Sequence, residues 1–120
     1  MSAQPARKHD IALNALGDPT RRAIFEKLGR GALSVAHIAD GMSVTRPAVS
    51  QHLKVLREAK LISMHQIGTR SYYRIDPEGL TAIRDYLDRF WDEALGNFKQ
   101  LAEATEKASA ANSKKLKRKK

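Results

Sequence analysis

The fold is decided by residues Val44–Ile62, which read VTRPAVSQHLKVLREAKLI. Val49, Leu53 and Leu56 recur at helical spacing and predict a helix with one apolar side. The opposite side carries cations and short hydrogen-bonding groups, namely Arg46, Ser50, Gln51, Lys54 and Arg57. Because phosphates attract cations and base edges bind Arg, Lys and Gln, this outer side fits a DNA major groove.

The beginning of this helix is marked by Pro47, which fits the first turn because its missing N–H needs no partner there. Thr45 is available as a cap. Proline disfavours helical angles in the residue before it, so the cap is either Thr45 or Arg46. The apolar side is widened by Ala48, Val55 and Ala59. An ordinary amphipathic surface helix has the same pattern, so the neighbouring segments must distinguish the two interpretations.

Charge is high and unevenly placed. The net charge of +9 and the pI of about 10.1 indicate a polyanionic partner. Residues 42–74 hold six basic residues and one acidic residue, whereas residues 76–106 hold three basic and eight acidic residues. A chain of 120 residues fits one domain, and the absence of cysteine excludes disulfides, thiolate metal sites and thiol redox sensing.

The expected location is the cytoplasm, at the nucleoid of a bacterium. Residues 1–10 are polar and lack the apolar segment of a secretory signal. No apolar run approaches the length that spans a membrane. We therefore expect no membrane partner.

Three short helices are predicted before the quoted stretch. The first spans Ile11–Leu16 and is closed by Gly17. Asp18 and the proline after it begin the second, and Ser34 caps a third that ends at Gly41. Two short helices joined by a tight turn, the second basic on its outer side, form a helix-turn-helix.

After Ala59 the apolar spacing changes to that of two short strands around Gly68. A basic hairpin after a recognition-type helix is a wing, whose tip reaches the DNA backbone or minor groove. A purely structural hairpin with a solvated Arg70 is the alternative. The predicted fold class is mainly α (α+β): a winged helix-turn-helix with five helices and a two-stranded β-hairpin wing.

Asp76 and Pro77 begin the longest predicted helix, whose apolar residues step by three and four. Its apolar surface exceeds what a small domain buries, which favours a two-fold dimer over packing on its own domain. Gly96 costs roughly 1 kcal/mol relative to alanine within a helix, which indicates close helix approach or a kink. The predicted dimer interface consists of Ile11, Leu13, Leu16, Leu87, Phe90, Trp91, Ala94, Leu95 and Phe98.

The predicted domain organisation has three parts. Residues 1–8 are expected to be a flexible arm, and residues 9–108 the DNA-binding and dimerisation domain. Residues 109–120 are expected to be a disordered tail, because six of the last seven residues are basic. Such a tail would add salt-sensitive DNA affinity without reading sequence.

Three segments resemble the ArsR/SmtB family: LNALGDPTRRAIFEKL at Leu13–Leu28, VSQHLKVLREA at Val49–Ala59 and GTRSYYRI at Gly68–Ile75. The resemblance covers residues 11–101. It implies a winged-helix homodimer that acts as a bacterial transcriptional repressor, often an autorepressor. It also implies that the fourth helix enters the major groove and that the first and last helices form the dimer interface.

The family's metal ligands are missing, so we expect neither a metal nor a cofactor. Many members carry cysteines on the third helix, where this chain has Ser34–His37 without a thiol. Others carry a histidine on the last helix at the position of Leu87. The resemblance implies no effector. Lys60 stands where the family usually has glycine, which leaves the preceding helix without its usual left-handed terminator.

The histidines are interpreted as packing or surface groups. His52 lies beside the apolar side of its helix and is expected to be packed. His37 and His65 are expected at the surface. His9 with Asp10 is a pair that could bind a stray metal in a dimer, although one such pair is weak support for a site.

The predicted DNA contacts are Thr45, Arg46, Pro47, Ser50, Gln51, Lys54, Arg57, Thr69 and Arg70. Ser50 and Gln51, with Arg46 nearby, are expected to contact base edges. The other polar contacts are expected to bind phosphate or the minor groove, and they are Lys54, Arg57, Thr69 and Arg70. The predicted partner is double-stranded DNA with an inverted-repeat operator, bound through helix 46–59 and the wing near residues 66–71.

Two other classes of function, an interaction or non-specific DNA-binding protein and an enzyme, are alternatives to a sequence-specific regulator. A winged helix can serve as a protein-interaction module, and a basic chain can bind DNA without specificity. An enzyme is not expected, because Ser50 and His52 are two residues apart on a helix and do not face each other.

Overall fold

The structure is a computed structural model that describes the backbone of residues 7–118 and the side chains of residues 7–110. Within that range it contains five helices and three strands. In chain order they are α1 Lys8–Ala15, α2 Pro19–Leu28, β1 Leu33–Ser34, α3 Val35–Ala39, α4 Arg46–Glu58, β2 Ile62–Ile67, β3 Arg70–Ile75 and α5 Pro77–Arg118. The predicted winged-helix class, with its five helices and its hairpin, is confirmed.

The second and third helices begin at the predicted caps. The Asp18 carboxylate accepts a hydrogen bond of 2.9 Å from the backbone N–H of Arg21. This bond favours the charged form and lowers the pKa of Asp18 below its usual value. The Ser34 hydroxyl accepts from the backbone N–H of His37 at 3.4 Å. Each cap satisfies a backbone donor that a helix leaves without an internal partner.

The wing is part of a three-stranded antiparallel sheet in the order β1-β3-β2, not a two-stranded hairpin alone. The additional strand pairs Leu33 with Tyr73 and Ser34 with Tyr72. A strand of two residues has no alternation that a sequence pattern could detect. Its pairing with β3 ties the wing to the start of α3.

The hairpin turns at Gly68. Strands β2 and β3 pair from Ile62 with Ile75 to Ile67 with Arg70, which leaves a loop of two residues. Gly68 has φ +65°, a left-handed conformation that glycine adopts without a Cβ penalty. Glycine at the first loop position is typical of a type II′ hairpin turn.

The core of residues 7–86 is centred on α4. Val49, Leu53 and Leu56 are almost completely buried. They pack with apolar residues from α2, α3 and the segment after α4, namely Ile24, Leu28, Ile38 and Leu61. Val55 was predicted on the buried side, but it is 36% exposed because it lies at the margin of the apolar side.

Two basic residues hold helix ends together. The Nε of Arg21 donates to the carbonyl of Ala15 at 2.7 Å, at the end of α1. The Nζ of Lys27 donates to the carbonyls of Ile38 at 3.0 Å and Asp40 at 2.7 Å, at the end of α3. Terminal carbonyls of a helix lack internal donors, so these cations stabilise both ends.

His9 is a packing residue of α1. It is 6% exposed, and its ring stacks on that of Tyr86 with 4.1 Å between the centroids. Its Nε2 lies 3.3 Å from a carboxylate oxygen of Asp10. Within the described residues of one chain, no group of three or more His, Asp or Glu could hold a metal ion.

The chain divides into two compact units, Met1–Tyr86 and Leu87–Lys120. The described part of the second unit is helical throughout, from residue 87 to residue 118. Residues 109–118 were predicted to be disordered, but their backbone continues the helix. Alanine and lysine are strong helix formers, and this segment contains neither glycine nor proline.

The predicted N-terminal arm and C-terminal tail lie partly outside the described residues, which exclude residues 1–6 and 119–120. Arg7 precedes α1, and Lys8 is its first residue. None of the helices within residues 7–118 combines the length and apolar composition that crossing a membrane requires.

Candidate nucleic-acid interface

The outer side of α4 is presented to solvent by the burial of its inner side. Because Val49, Leu53 and Leu56 are fixed in the core, the helix cannot rotate. Arg46, Ser50, Gln51, Lys54 and Arg57 are therefore all exposed, as is Pro47 in the first turn. The spacing of these residues predicts one surface, and in the structure they lie on one exposed side of one helix.

The N-terminus of α4 is capped by Thr45. Its hydroxyl accepts a hydrogen bond of 3.3 Å from the backbone N–H of Ala48, and its backbone is extended. This resolves the choice that the sequence left between Thr45 and Arg46. Arg46 becomes the first residue of the helix, at the end where the helix dipole is positive. That end favours an anion such as a phosphate.

The C-terminus of α4 has the geometry of a Schellman motif. The backbone N–H of Leu61 donates to the carbonyl of Leu56 at 3.0 Å, and that of Lys60 donates to the carbonyl of Arg57 at 3.0 Å. Lys60 has φ +60°, the left-handed conformation that this motif requires. The usual left-handed terminator is therefore present, although the residue is a lysine and not a glycine.

Gly79 allows the first turn of α5 to approach this helix end. Its backbone N–H donates to the carbonyl of Lys60 at 2.8 Å. A Cβ at position 79 would lie 2.7 Å from the carbonyl oxygens of both Ala59 and Lys60. The sequence pattern did not identify Gly79 as a residue of this region. Its signal was a glycine in the first turn of a helix, where other residues have better helix propensity.

An open groove of about 540 Å³ lies between the C-terminal half of α4 and strand β2. Its walls carry three cations and two acids. Asp76 already caps α5, because its carboxylate accepts from the backbone N–H of Glu78 at 3.0 Å. The lining residues are Lys54, Arg57, Glu58, Lys60, Ile62, Ser63, Met64 and Asp76.

The wing presents two of the predicted DNA contacts. Thr69 and Arg70 are both exposed. Ile67 pairs with Arg70 across the hairpin and is 68% exposed, so the tip combines an apolar side chain with a cation. The sheet fixes these residues through the pairing of β3 with both neighbouring strands.

The residues predicted to form a dimer interface fall in both units. In the first unit, Ile11 and Leu13 are exposed, whereas Leu16 is half-buried and packs against the core. In the second unit, the residues are exposed along one side of α5, with the large side chains 47–69% exposed. We call this side the apolar row, which consists of the predicted residues Leu87, Phe90, Trp91, Ala94, Leu95 and Phe98 and of Leu101, which was not among the predicted residues.

The remaining histidines make local contacts. His52 is half-buried, as predicted, and His37 is exposed. The Ser34 hydroxyl contacts Nδ1 of His37 at 2.9 Å. His65 was predicted at the surface, but it is half-buried and its Nε2 lies 3.0 Å from the Ser63 hydroxyl. These Ser–His contacts join neighbours on one short segment.

Comparisons with known proteins agree with this geometry. A family model described as a helix-turn-helix domain matches residues 16–65. The chain is 51% identical over 98 residues to the HTH-type transcriptional regulator Rv2034 of Mycobacterium tuberculosis. This match covers 82% of this chain and 92% of the relative. It is 37% identical over 74 residues to the transcriptional repressor SdpR of Bacillus subtilis, with 62% and 79% covered.

A solved structure supports the architecture. It is the homodimeric winged helix-turn-helix DNA-binding domain of Mb0332 from Mycobacterium bovis, a possible ArsR-family transcriptional regulator. The two chains are 26% identical, with a TM-score of 0.58. The match covers 81% of this chain and 95% of that one.

Proposed function

This chain belongs to the ArsR/SmtB family of DNA-binding transcriptional repressors, and we propose that it acts as a homodimer on an inverted-repeat operator. The observation that carries the proposal is the outer side of α4, where every polar residue is exposed while the inner side is held in the core. A helix fixed in this way presents a constant set of donors to a major groove.

The proposed contacts divide by chemistry. Gln51 and Ser50 read base edges, because amide and hydroxyl groups form directional hydrogen bonds with them. Arg46 lies one turn earlier, at the positive end of the helix. The other cations and Thr69 bind the backbone or the minor groove and fix the register of the helix. The proposed set is Thr45, Arg46, Pro47, Ser50, Gln51, Lys54, Arg57, Thr69 and Arg70.

The proposed dimer forms through the apolar row of α5 together with Ile11, Leu13 and Leu16 of the α1 region. A row of exposed aromatic and aliphatic side chains on one helix favours burial against another apolar surface. The homodimeric state of the M. bovis domain supports this proposal. Two-fold symmetry would place the two α4 helices about 34 Å apart, one turn of DNA.

The experiment that tests the operator is selection of bound duplexes from random DNA. We expect an inverted repeat whose half-sites are separated by about 10 base pairs or a multiple of that distance. A salt series on selected and random DNA distinguishes the alternatives. A protein-interaction module would show little affinity or salt dependence, and a non-specific DNA-binding protein would bind both duplexes alike.

Base reading is tested by Gln51→Ala, with Lys54→Ala as its matched comparison on the same exposed side. Gln51→Ala is expected to weaken the binding free energy by about 1–3 kcal/mol on the operator and to change it little on random DNA. Lys54→Ala should weaken both duplexes to the same extent, because phosphates carry no sequence information. Equal losses on the two duplexes for Gln51→Ala would show that Gln51 does not read bases.

The proposal assigns no catalytic role and no metal or cofactor to the chain. Repressor families are not a class of enzymes, and DNA binding alone accounts for the exposed surface of α4. The proposed site of action is the bacterial nucleoid, where the operator lies.

A further inference from the structure

Lys60 occupies a backbone conformation that is unfavourable for lysine. At φ +60° its Cβ crowds the neighbouring carbonyl, a cost that glycine does not have. The motif at the end of α4 requires this conformation, but it uses only backbone groups. The N–H of Lys60 donates to the carbonyl of Arg57, and the N–H of Leu61 donates to the carbonyl of Leu56. The backbone of this motif therefore accepts glycine at this position.

The lysine side chain has no internal role that offsets this cost. Lys60 is exposed. Within the described residues, its ammonium group is in no hydrogen bond and no ion pair, whereas Lys27 donates to two carbonyls and Lys8 lies 3.5 Å from Glu78. Strained residues that the fold does not need are often retained for function.

The surroundings of Lys60 indicate what it binds. Lys54, Arg57 and Lys60 follow one another at intervals of three residues and line the same groove beside β2. The groove keeps a net positive charge, because its three cations outnumber its two acids, Glu58 and Asp76. A row of cations next to a groove-reading helix fits the row of phosphates along one DNA strand.

We propose that Lys60 binds a backbone phosphate of the operator and thereby extends the phosphate contacts of Lys54 and Arg57 past the end of α4. This inference rests on the proposed function of α4. It assigns to Lys60 a contribution to DNA affinity that does not depend on the base sequence.

The test measures how the logarithm of the operator association constant falls with the logarithm of salt concentration. Each lost phosphate contact reduces the slope by about 0.9, so a dimer should lose roughly 1.8 in Lys60→Gly. Lys60→Asn should give the same reduction, since asparagine tolerates this conformation and carries no charge. Lys60→Arg should retain the slope of the unsubstituted protein, because it keeps the cation.

Two controls separate phosphate binding from other effects. The urea midpoint of Lys60→Gly should equal or exceed that of the unsubstituted protein, so weaker binding does not follow from poorer folding. Lys107→Asn removes the same charge from an exposed position on α5 and should leave the slope unchanged. An unchanged slope in Lys60→Gly and Lys60→Asn, or an equal reduction in Lys107→Asn, overturns the inference.

These outcomes are distinct from failure of the proposed function. If the unsubstituted protein prefers no duplex over another, the operator proposal fails and the Lys60 inference fails with it. If the protein selects an operator, Gln51→Ala loses that preference and Lys60→Gly keeps the full slope, only the Lys60 inference fails.

Discussion

Helix α4 and the apolar row of α5 follow the same sequence rule, apolar residues at steps of three and four, with opposite outcomes. On α4 the residues Val49, Leu53 and Leu56 are 0–1% exposed. In the apolar row the large side chains are 47–69% exposed. The periodicity therefore identifies a helix with an apolar side, but not the surface that covers that side.

The difference follows from what each unit contains. The unit of residues 7–86 surrounds α4 with other helices and a sheet, so its apolar side is buried within one chain. The described part of the second unit is one helix, and a single helix cannot bury its own apolar side. On α4, the exposed polar side is therefore the candidate binding surface. In the second unit, the candidate binding surface is the exposed apolar side.

The largest expected effect comes from truncating the buried side of α4. Leu53→Ala should lower the free energy of unfolding by about 2–5 kcal/mol, because it removes buried methyl groups and leaves a cavity. Urea denaturation gives the measurement. Val55→Ala on the same helix is the matched control, and it should lose much less, since Val55 is partly exposed. Equal losses of unfolding free energy in Leu53→Ala and Val55→Ala would contradict the finding that Leu53 is buried and Val55 is partly exposed.

A smaller effect is expected from truncating a side chain of the apolar row, and it should appear in the dimer dissociation constant. Trp91→Ala should raise the dimer dissociation constant about 30-fold or more, corresponding to about 2 kcal/mol, because buried tryptophans contribute strongly to interfaces. Sedimentation over a concentration series gives the constant. Arg89→Ala, on the other side of the helix by its spacing, is the control and should leave association unchanged. A dimer insensitive to Trp91→Ala would mean that another surface forms it.

The smallest effect is expected at Gly96, which helical spacing places on the side of α5 away from the apolar row. A Cβ there would meet nothing within 4 Å. Gly96→Ala should therefore raise the free energy of unfolding by about 1 kcal/mol at fixed protein concentration, through better helix propensity. Weaker dimerisation of Gly96→Ala would instead support close helix approach, which is one of the two explanations, with a kink, that the sequence left open.

Local chemistry made much of the fold predictable. Asp18, Ser34 and Thr45 were identified as caps or candidate caps, since a cap needs only its own side chain and a backbone N–H three residues later. The exposed side of α4 was predictable for a similar reason, because its spacing alone separates the polar residues from Val49 and Leu53.

Features that depend on distant segments were missed. Strand β1 is defined by its pairing with β3, about forty residues later. Gly79 is required because two carbonyls from the end of α4 approach it, and no pattern around Gly79 records their position. His9 was read with its neighbour Asp10, although its ring packs on Tyr86 at the far end of the first unit.

The sequence by itself determined the order of the helices, the position of the wing and the chemistry of the outer side of α4, because each depends on residues close together in the chain. Tertiary structure decided which apolar sides are buried, that a third strand joins the wing, and that Lys60 takes the left-handed conformation at the end of α4. These properties depend on backbone groups brought together by folding. Contacts between distant segments, not the spacing of neighbours, therefore set them.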